Sequence, residues 1–373
     1  MILRALTTLI LLGCSHASAA APRAQNVILF VGDAGGIPTL NAASIYGHDR
    51  PQALFIQSLP HIALVDTSAA DAWVSDSAAG MTAIVTGRKT RNGVLSQSAD
   101  AVRGQQDGES LKTLLEYAEE RGLATGVISN MNIWDATPAA CYAHANERKS
   151  PGEIFSQILK PRFGDGVDLV IGKDLKGVRE TTAKLGIDIE PALRAKNYTI
   201  FPSPAEFSAD AARAVALFDG NDFDPLPVVE KAITSLARNP KGYFLMVEWD
   251  MHTGTLVRGL ERVLVMDKIV RQTAAQVGND TLILFVADHS SDLRVLGGKK
   301  GESLISAANA AATLPANAKA KIRADSAHTG EEVLAAARGP GAERLRGFIA
   351  NTDLFKIMMA AYGWTETEKP TAR

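Results

Sequence analysis

The chain has 373 residues, 46% of them hydrophobic and 21% charged, and its 39 basic and 41 acidic side chains leave a formal charge of −2. This length admits one large α/β domain or two modest ones. The even charge balance argues against a nucleic-acid partner, which draws on a basic excess, and no run of like charge offers a grip on a membrane surface.

Taken in chain order, Met1-Ile2-Leu3-Arg4 makes a positive start, Ala5 to Gly13 is a short apolar stretch, and mostly small residues follow to Ala21. This pattern reads as an export signal over residues 1–19, too short to be a membrane span, with residues 20–373 as a single catalytic domain in a periplasmic or secreted protein. Ala17-Ser18-Ala19 fits a cleavage site, while Leu11-Leu12-Gly13-Cys14 loosely resembles a lipoprotein box in which Cys14 would be acylated. The other cysteine, Cys141, would then have no intramolecular disulfide partner.

Four apolar runs read as strands: Asn26–Gly32, Ala124–Ser129, Gly242–Val247 and Thr281–Ala287. Each is continuous rather than alternating, as in parallel strands covered on both faces. Helical stretches such as Glu109–Arg121 and Leu256–Val277 intervene. The expected fold is α/β, a large, mostly parallel central sheet with helices on both faces. Gly166–Gly172 reads as a further strand, and Gly297–Ala327 as a loop with a helix leading towards His328. The first, third and fourth strands end in Asp33, Glu248 and Asp288-His289, and the second leads through Asn130 to Asp135 and Thr137. Ligand sites of open α/β sheets form beyond the carboxyl ends of strands. Carboxylates crowded there call for cations, although independent helix caps would also account for single acids.

Val74-Ser75-Asp76-Ser77-Ala78-Ala79-Gly80-Met81-Thr82 puts a hydroxyl before a small-residue helix. At a helix N-terminus unpaired N–H groups and the dipole favour an anion; read without context, Asp76-Ser77 is also an ordinary cap. This segment resembles the nucleophile motif of the alkaline phosphatase family. The match continues in order through Asn26–Asp33, Asp135-Ala136-Thr137-Pro138-Ala139-Ala140 with His144 and Arg148, Tyr243–Glu248, Val286-Ala287-Asp288-His289, Ala327-His328-Thr329-Gly330 and Thr352-Asp353-Leu354-Phe355.

The resemblance implies an alkaline phosphatase-like fold and hydrolysis of small-molecule phosphate monoesters, with Ser77 as nucleophile and Arg148 binding phosphate. It also implies two zinc ions and a magnesium ion. Asp33, Ser77, Asp288 and His289 would hold one zinc, and Asp33, Thr137 and Glu248 the magnesium. The sequence departs from the family after Glu248. The family's remaining zinc ligands, an Asp five residues on and a His nine residues on, are replaced by Thr253 and Val257. Asp250, His252 and His328 are the expected substitutes, with an altered or empty site as the other option. Phosphodiester hydrolysis, a non-catalytic phosphate-binding role and a homodimer stay open on these grounds.

Overall fold

The computed structural model describes residues 23–203, 206–220, 222–305 and 321–365. The export signal and Cys14 therefore lie outside the described residues. The strands are β1 (Asn26–Asp33), β2 (His61–Asp66), β3 (Ala124–Asn132), β4 (Leu169–Lys173), β5 (Thr199–Phe201), β6 (Ala214–Phe218), β7 (Tyr243–Asp250), β8 (Thr281–Val286), β9 (Ser290–Val295), β10 (Ile322–Thr329), β11 (Val333–Arg338) and β12 (Gly347–Ala350). The helices are α1 (Ile37–His48), α2 (Ser77–Thr86), α3 (Leu114–Glu120), α4 (Ala136–Tyr142), α5 (Pro151–Ser156), α6 (Leu175–Ala183), α7 (Ile189–Ala195), α8 (Pro225–Leu236), α9 (Leu256–Gln276) and α10 (Asn351–Tyr362).

Among the described residues ten strands form one sheet in the order β12-β2-β11-β8-β1-β7-β3-β4-β6-β5. Its pairings are parallel except the two made by β11. The continuous apolar runs divide between two cores. In β1, Val27, Leu29 and Val31 pack on one face with Met81 and Ile84 of α2, Leu115 of α3 and Leu354 of α10. Ile28 and Phe30 pack on the other with Leu40 of α1, Ile233 of α8 and Leu260, Val263 and Met266 of α9. Period-two alternation thus serves two apolar faces, the expected sandwich of helices about a parallel sheet. Among the described residues no helix is long and apolar enough to cross a membrane. Cys141 is buried and free, and burial pushes its thiol pKa up, away from reactivity.

Two local expectations are corrected. The helix expected over Glu109–Arg121 spans only Leu114–Glu120, because Thr113 and Glu116 form a reciprocal capping box that starts it five residues later. The helix expected before His328 falls partly on residues 306–320, outside the described residues. Its last part is instead β10, paired antiparallel with β9, although Arg323, Asp325 and Ser326 have little β preference. Pairing with a partner about thirty residues away overrides local propensity there.

One buried carboxyl of the fold is pH-sensitive. Glu119 of α3 accepts from Thr125 Oγ1 at 2.5 Å and from the Gly166 N–H at 3.0 Å. Burial, reinforced by Asp168, pushes its pKa from 4.5 up to about 7. A raised carboxyl pKa means the fold favours the protonated form, so this contribution is complete below about pH 4.5 and lost as pH rises through 7. Glu119→Gln, which keeps one acceptor and removes the charge, is expected to stabilise the protein at pH 8.5 by up to roughly 3 kcal/mol. The gain should vanish at pH 4.5; urea unfolding at the two pH values measures both, and equal gains would refute the assignment.

Candidate active site

The site lies at the carboxyl ends of the central strands. Parallel register sets Val31 beside Glu248 and Asp33 beside Asp250, and Ser129 of β3 beside Glu248. Beyond β8 the chain turns through Asp288 and His289 into β9. The N-terminus of α2 faces the same edge. There Asp76 caps the helix by accepting from the Ala79 N–H at 3.0 Å, and Ser77 is its first residue. Gly80 permits the close approach, since a Cβ on it would stand 2.6 Å from the Asp288 carbonyl oxygen.

Four side chains meet at this junction. Ser77 Oγ lies 3.3 Å from His289 Nε2 and 3.5 Å from Asp33 Oδ1. His289 Nε2 lies 3.2 Å from Asp33 Oδ1 and 3.6 Å from Asp288 Oδ2. Ligands on a tetrahedral zinc with bonds of about 2.0–2.1 Å stand roughly 3.3 Å apart, so these separations fit a shared ion. Asp288 Oδ2 is buried without a hydrogen-bond partner, as is Thr137 Oγ1. A buried polar atom left unpaired is costly, and a cation relieves the cost.

The electrostatics point the same way. Burial and the charge of Asp33 push Asp288 up to about 6 and Glu248 well above the usual carboxylate range. Asp33 is held below that range: burial opposes the charge, but His289, His252 and Arg148 outweigh it. Burial likewise opposes the positive charge of His289, yet Asp288 and Asp33 carry it up to about 9. The site is thus an anionic cluster that recruits positive charge from its own imidazoles.

Three histidines converge on one side of the cluster. Each Nδ1 donates to an oxygen: His252 to Asp250 Oδ1 at 2.7 Å, His289 to the Ser290 carbonyl at 3.1 Å and His328 to the Ser75 carbonyl at 3.1 Å. This turns each Nε2 towards the cluster, the orientation that suits metal ligation once the proton favoured there on His252 and His289 is displaced. His252 Nε2 and His328 Nε2 stand 3.4 Å apart, and the rings of His289 and His328 stack with centroids 3.7 Å apart. Two ring nitrogens facing at that distance share either a proton or a cation. The groupings of ligand atoms close enough for one ion are His252 with His289 and His328, Asp33 with Asp288 and His289, and Asp33 with Asp250 and His252.

Glu248 stands apart from these groupings and accepts a short hydrogen bond from Ser129 Oγ. Thr137 lies in the first turn of α4, after its cap Asp135. Arg148 is clamped between the two caps, with Nη1 donating to Asp76 Oδ2 at 3.1 Å and Nη2 to Asp135 Oδ1 at 2.8 Å. Burial works against its charge, but Asp135 and Asp76 raise its pKa. His144 is elsewhere, against the Leu111 carbonyl and Arg162. The structure therefore gathers Asp33, Ser77, Asp250, His252, Asp288, His289 and His328 at one edge, with Arg148, Glu248 and Thr137 adjoining. Sequence reasoning placed Asp76 as a cap and Asp135 as an acid beyond a strand end, but missed their clamp on Arg148 and the donor Ser129. Their signals, two helix caps and a serine at a strand end, resemble countless ordinary ones.

A mostly parallel α/β sheet with carboxylates, imidazoles and a helix-terminal hydroxyl at one edge suits a metal-dependent hydrolase. The family profile described as Alkaline phosphatase matches residues 24–167 and 224–314. The chain is 28% identical to the alkaline phosphatase of Escherichia coli K12 over an alignment spanning 419 positions, covering 91% of this chain and 86% of that protein. It is 27% identical to streptomycin-6-phosphate phosphatase of Streptomyces griseus over an alignment spanning 440 positions, covering 95% of each. Among solved structures, alkaline phosphatase from the Antarctic bacterium TAB5 superposes with a TM-score of 0.76 at 20% identity, covering 93% of this chain and 100% of that one. That of Thermus thermophilus gives 0.76 at 22% identity, covering 95% and 96%. The chain belongs to the alkaline phosphatase family, and membership sets the class of chemistry as metal-dependent phosphate ester hydrolysis.

The contact at Gly80 is testable. Helix propensity alone would favour Gly80→Ala by about 1 kcal/mol, whereas overpacking against Asp288 costs roughly 1–3 kcal/mol. A net loss of stability in denaturant unfolding is expected, and a net gain would show that α2 does not press on the end of β8.

Proposed function

We propose that the protein hydrolyses phosphate monoesters through a phosphoserine on Ser77, releasing inorganic phosphate. Residues 20–373 would form one catalytic domain acting outside the cytoplasm after removal of the leader. The observation that carries the reading is the junction of Ser77 Oγ, Asp33, Asp288 and His289 at ligand-to-ligand distances of 3.2–3.6 Å.

In this reading Asp33, Ser77, Asp288 and His289 would hold one zinc, and Asp250, His252 and His328 the second. Asp33, Thr137 and Glu248 suit magnesium, a hard cation that prefers oxygen. Divalent cations supply charge to lower the pKa of the serine hydroxyl and to stabilise the attacking and leaving oxygens. The protein's own residues do the rest. The N-terminus of α2 presents Ser77 Oγ where the helix dipole favours the phosphoryl group. Arg148, held rigid by Asp76 and Asp135, offers a planar fork to two phosphoryl oxygens. In-line attack forms the Oγ–P bond as the bond to the leaving alcohol breaks. Water then displaces Oγ, restoring Ser77 and releasing phosphate. Ser129 keeps Glu248 facing the cluster throughout.

Ser77→Ala is expected to fold and to lower turnover of a nitrophenyl phosphate monoester on the order of 10⁴-fold or more. Near-normal turnover would reject the nucleophile. Chelation should abolish activity and lower the melting temperature, since a ligand bound to the native state alone stabilises it. Zinc plus magnesium should restore both; indifference to the chelator would end the metal reading. The substitution of the family's second-metal ligands by His252 bears on substrate class, so the matching diester is the informative comparison. Faster turnover of the diester would make the protein a phosphodiesterase, and loss of both activities with phosphate still bound would make it a binding protein.

A further inference from the structure

His252 is the end of a partly buried ionic chain that runs away from the carboxylate cluster. Its Nδ1 and its backbone N–H both donate to Asp250 Oδ1, at 2.7 and 3.0 Å. Arg262 Nη1 of α9 donates to the other oxygen, Asp250 Oδ2. The same guanidinium pairs with Asp222 through Nε at 3.0 Å and Nη2 at 2.8 Å, and Asp222 also accepts from Lys173 and Arg258. Asp250 and Arg262 are both buried.

We propose that Asp250 and Arg262 are positioning residues for metal binding at His252, with Asp250 acting through the imidazole rather than touching the ion. The inference rests on the proposed role of His252 as a zinc ligand and changes that of Asp250. Three observations carry it. The 2.7 Å between Asp250 Oδ1 and His252 Nδ1 is a hydrogen-bond distance, shorter than the roughly 3.3 Å between two ligands on one tetrahedral zinc. The 3.4 Å between His252 Nε2 and His328 Nε2 does fit that spacing. Both oxygens of Asp250 are already engaged, and a guanidinium, always charged, does not release its carboxylate by titrating. Arg262 thus withdraws from the cluster a carboxylate that lies next to Asp33 in strand register, and Asp250 holds the imidazole with Nε2 towards His328. This Arg–Asp–His arrangement accounts for how the chain manages without acid and imidazole at Thr253 and Val257.

The test uses the whole protein, with zinc affinity measured by chelator competition and cobalt(II) absorption reporting the ligand set. Asp250→Asn keeps the shape of the side chain, and Arg262→Gln keeps a donor without the charge. Each is expected to weaken one of the two zinc sites by about 10–100-fold, the usual effect of losing a partner that orients a ligand. The other site should stay unchanged, and saturating metal should give the wild-type cobalt spectrum. The double variant should bind no more weakly than the weaker single one, because the two residues act as one unit. Unchanged affinity in either variant, additive losses, or an altered cobalt spectrum in saturated Asp250→Asn would overturn the proposal. If Arg262→Gln does not fold, the Asp250→Asn spectrum decides alone. His252→Ala separates the two levels of inference: if it retains both zinc ions, the metal role of His252 fails. If it loses one while the other variants bind normally, only the positioning role fails.

Discussion

Mutual repulsion among the carboxylates at the ends of β1, β7 and β8 is the constraint on which the rest of the structure turns. Asp33, Glu248 and Asp288 are buried together at the termini of three adjacent strands. In water such a cluster would be screened, but in the interior the same charges interact several times more strongly. Parallel strands bring this about without any other device, since in-register neighbours of a doubly covered sheet all present their last residues to one edge. A cluster of this kind must protonate, recruit cationic side chains or bind metal ions. The protein shows the first two responses in the raised pKa of Glu248 and Asp288 and the positive charge favoured on His289. Those responses mark what a divalent ion would replace.

The surroundings read as answers to that constraint. Cationic help close to Asp33 comes from Arg148, and Asp76 and Asp135 fix its position. These two acids are helix caps, so one carboxylate both terminates a helix and aims a guanidinium. The first oxygen of Asp76 serves the Ala79 N–H and the second serves Arg148. Helix start and guanidinium are therefore mechanically linked, and a change that frays α2 also loosens Arg148. The histidines are treated alike in kind: each spends Nδ1 on an oxygen and keeps Nε2 for the cluster.

How much of this the sequence carried depends on the range of the interaction. The sheet was legible because burial on both faces leaves unbroken apolar runs, and Asn26–Gly32 needs no partner to be recognised. Asp33, Asp288 and His289 were legible for the same reason, as polar residues that terminate such runs. Ser77 stood out through the small residues behind it, and Gly80 shows why they are small: there is no room for a Cβ beside Asp288. What stayed hidden is set by packing between distant segments. Nothing local at Arg148 announces Asp76, 72 residues earlier. The antiparallel pairing that turns Ile322–Thr329 into a strand is equally absent from its composition.

His252 stands in the loop at Met251–Thr253, between β7 and α9, so its orientation comes from neighbours rather than from helical or strand geometry. Asp250 sits on the strand itself, where backbone pairing with Asp33 holds it rigidly. A rigid carboxylate next to a cluster already rich in negative charge is a liability unless something neutralises it. Arg262 does so from α9, a helix of 21 residues anchored along the opposite core by Leu260, Val263 and Met266. The carboxylate edge is in this way braced against the second hydrophobic layer of the sandwich. The energetic tie between them runs through an ion pair whose rupture would leave a buried charge on either side.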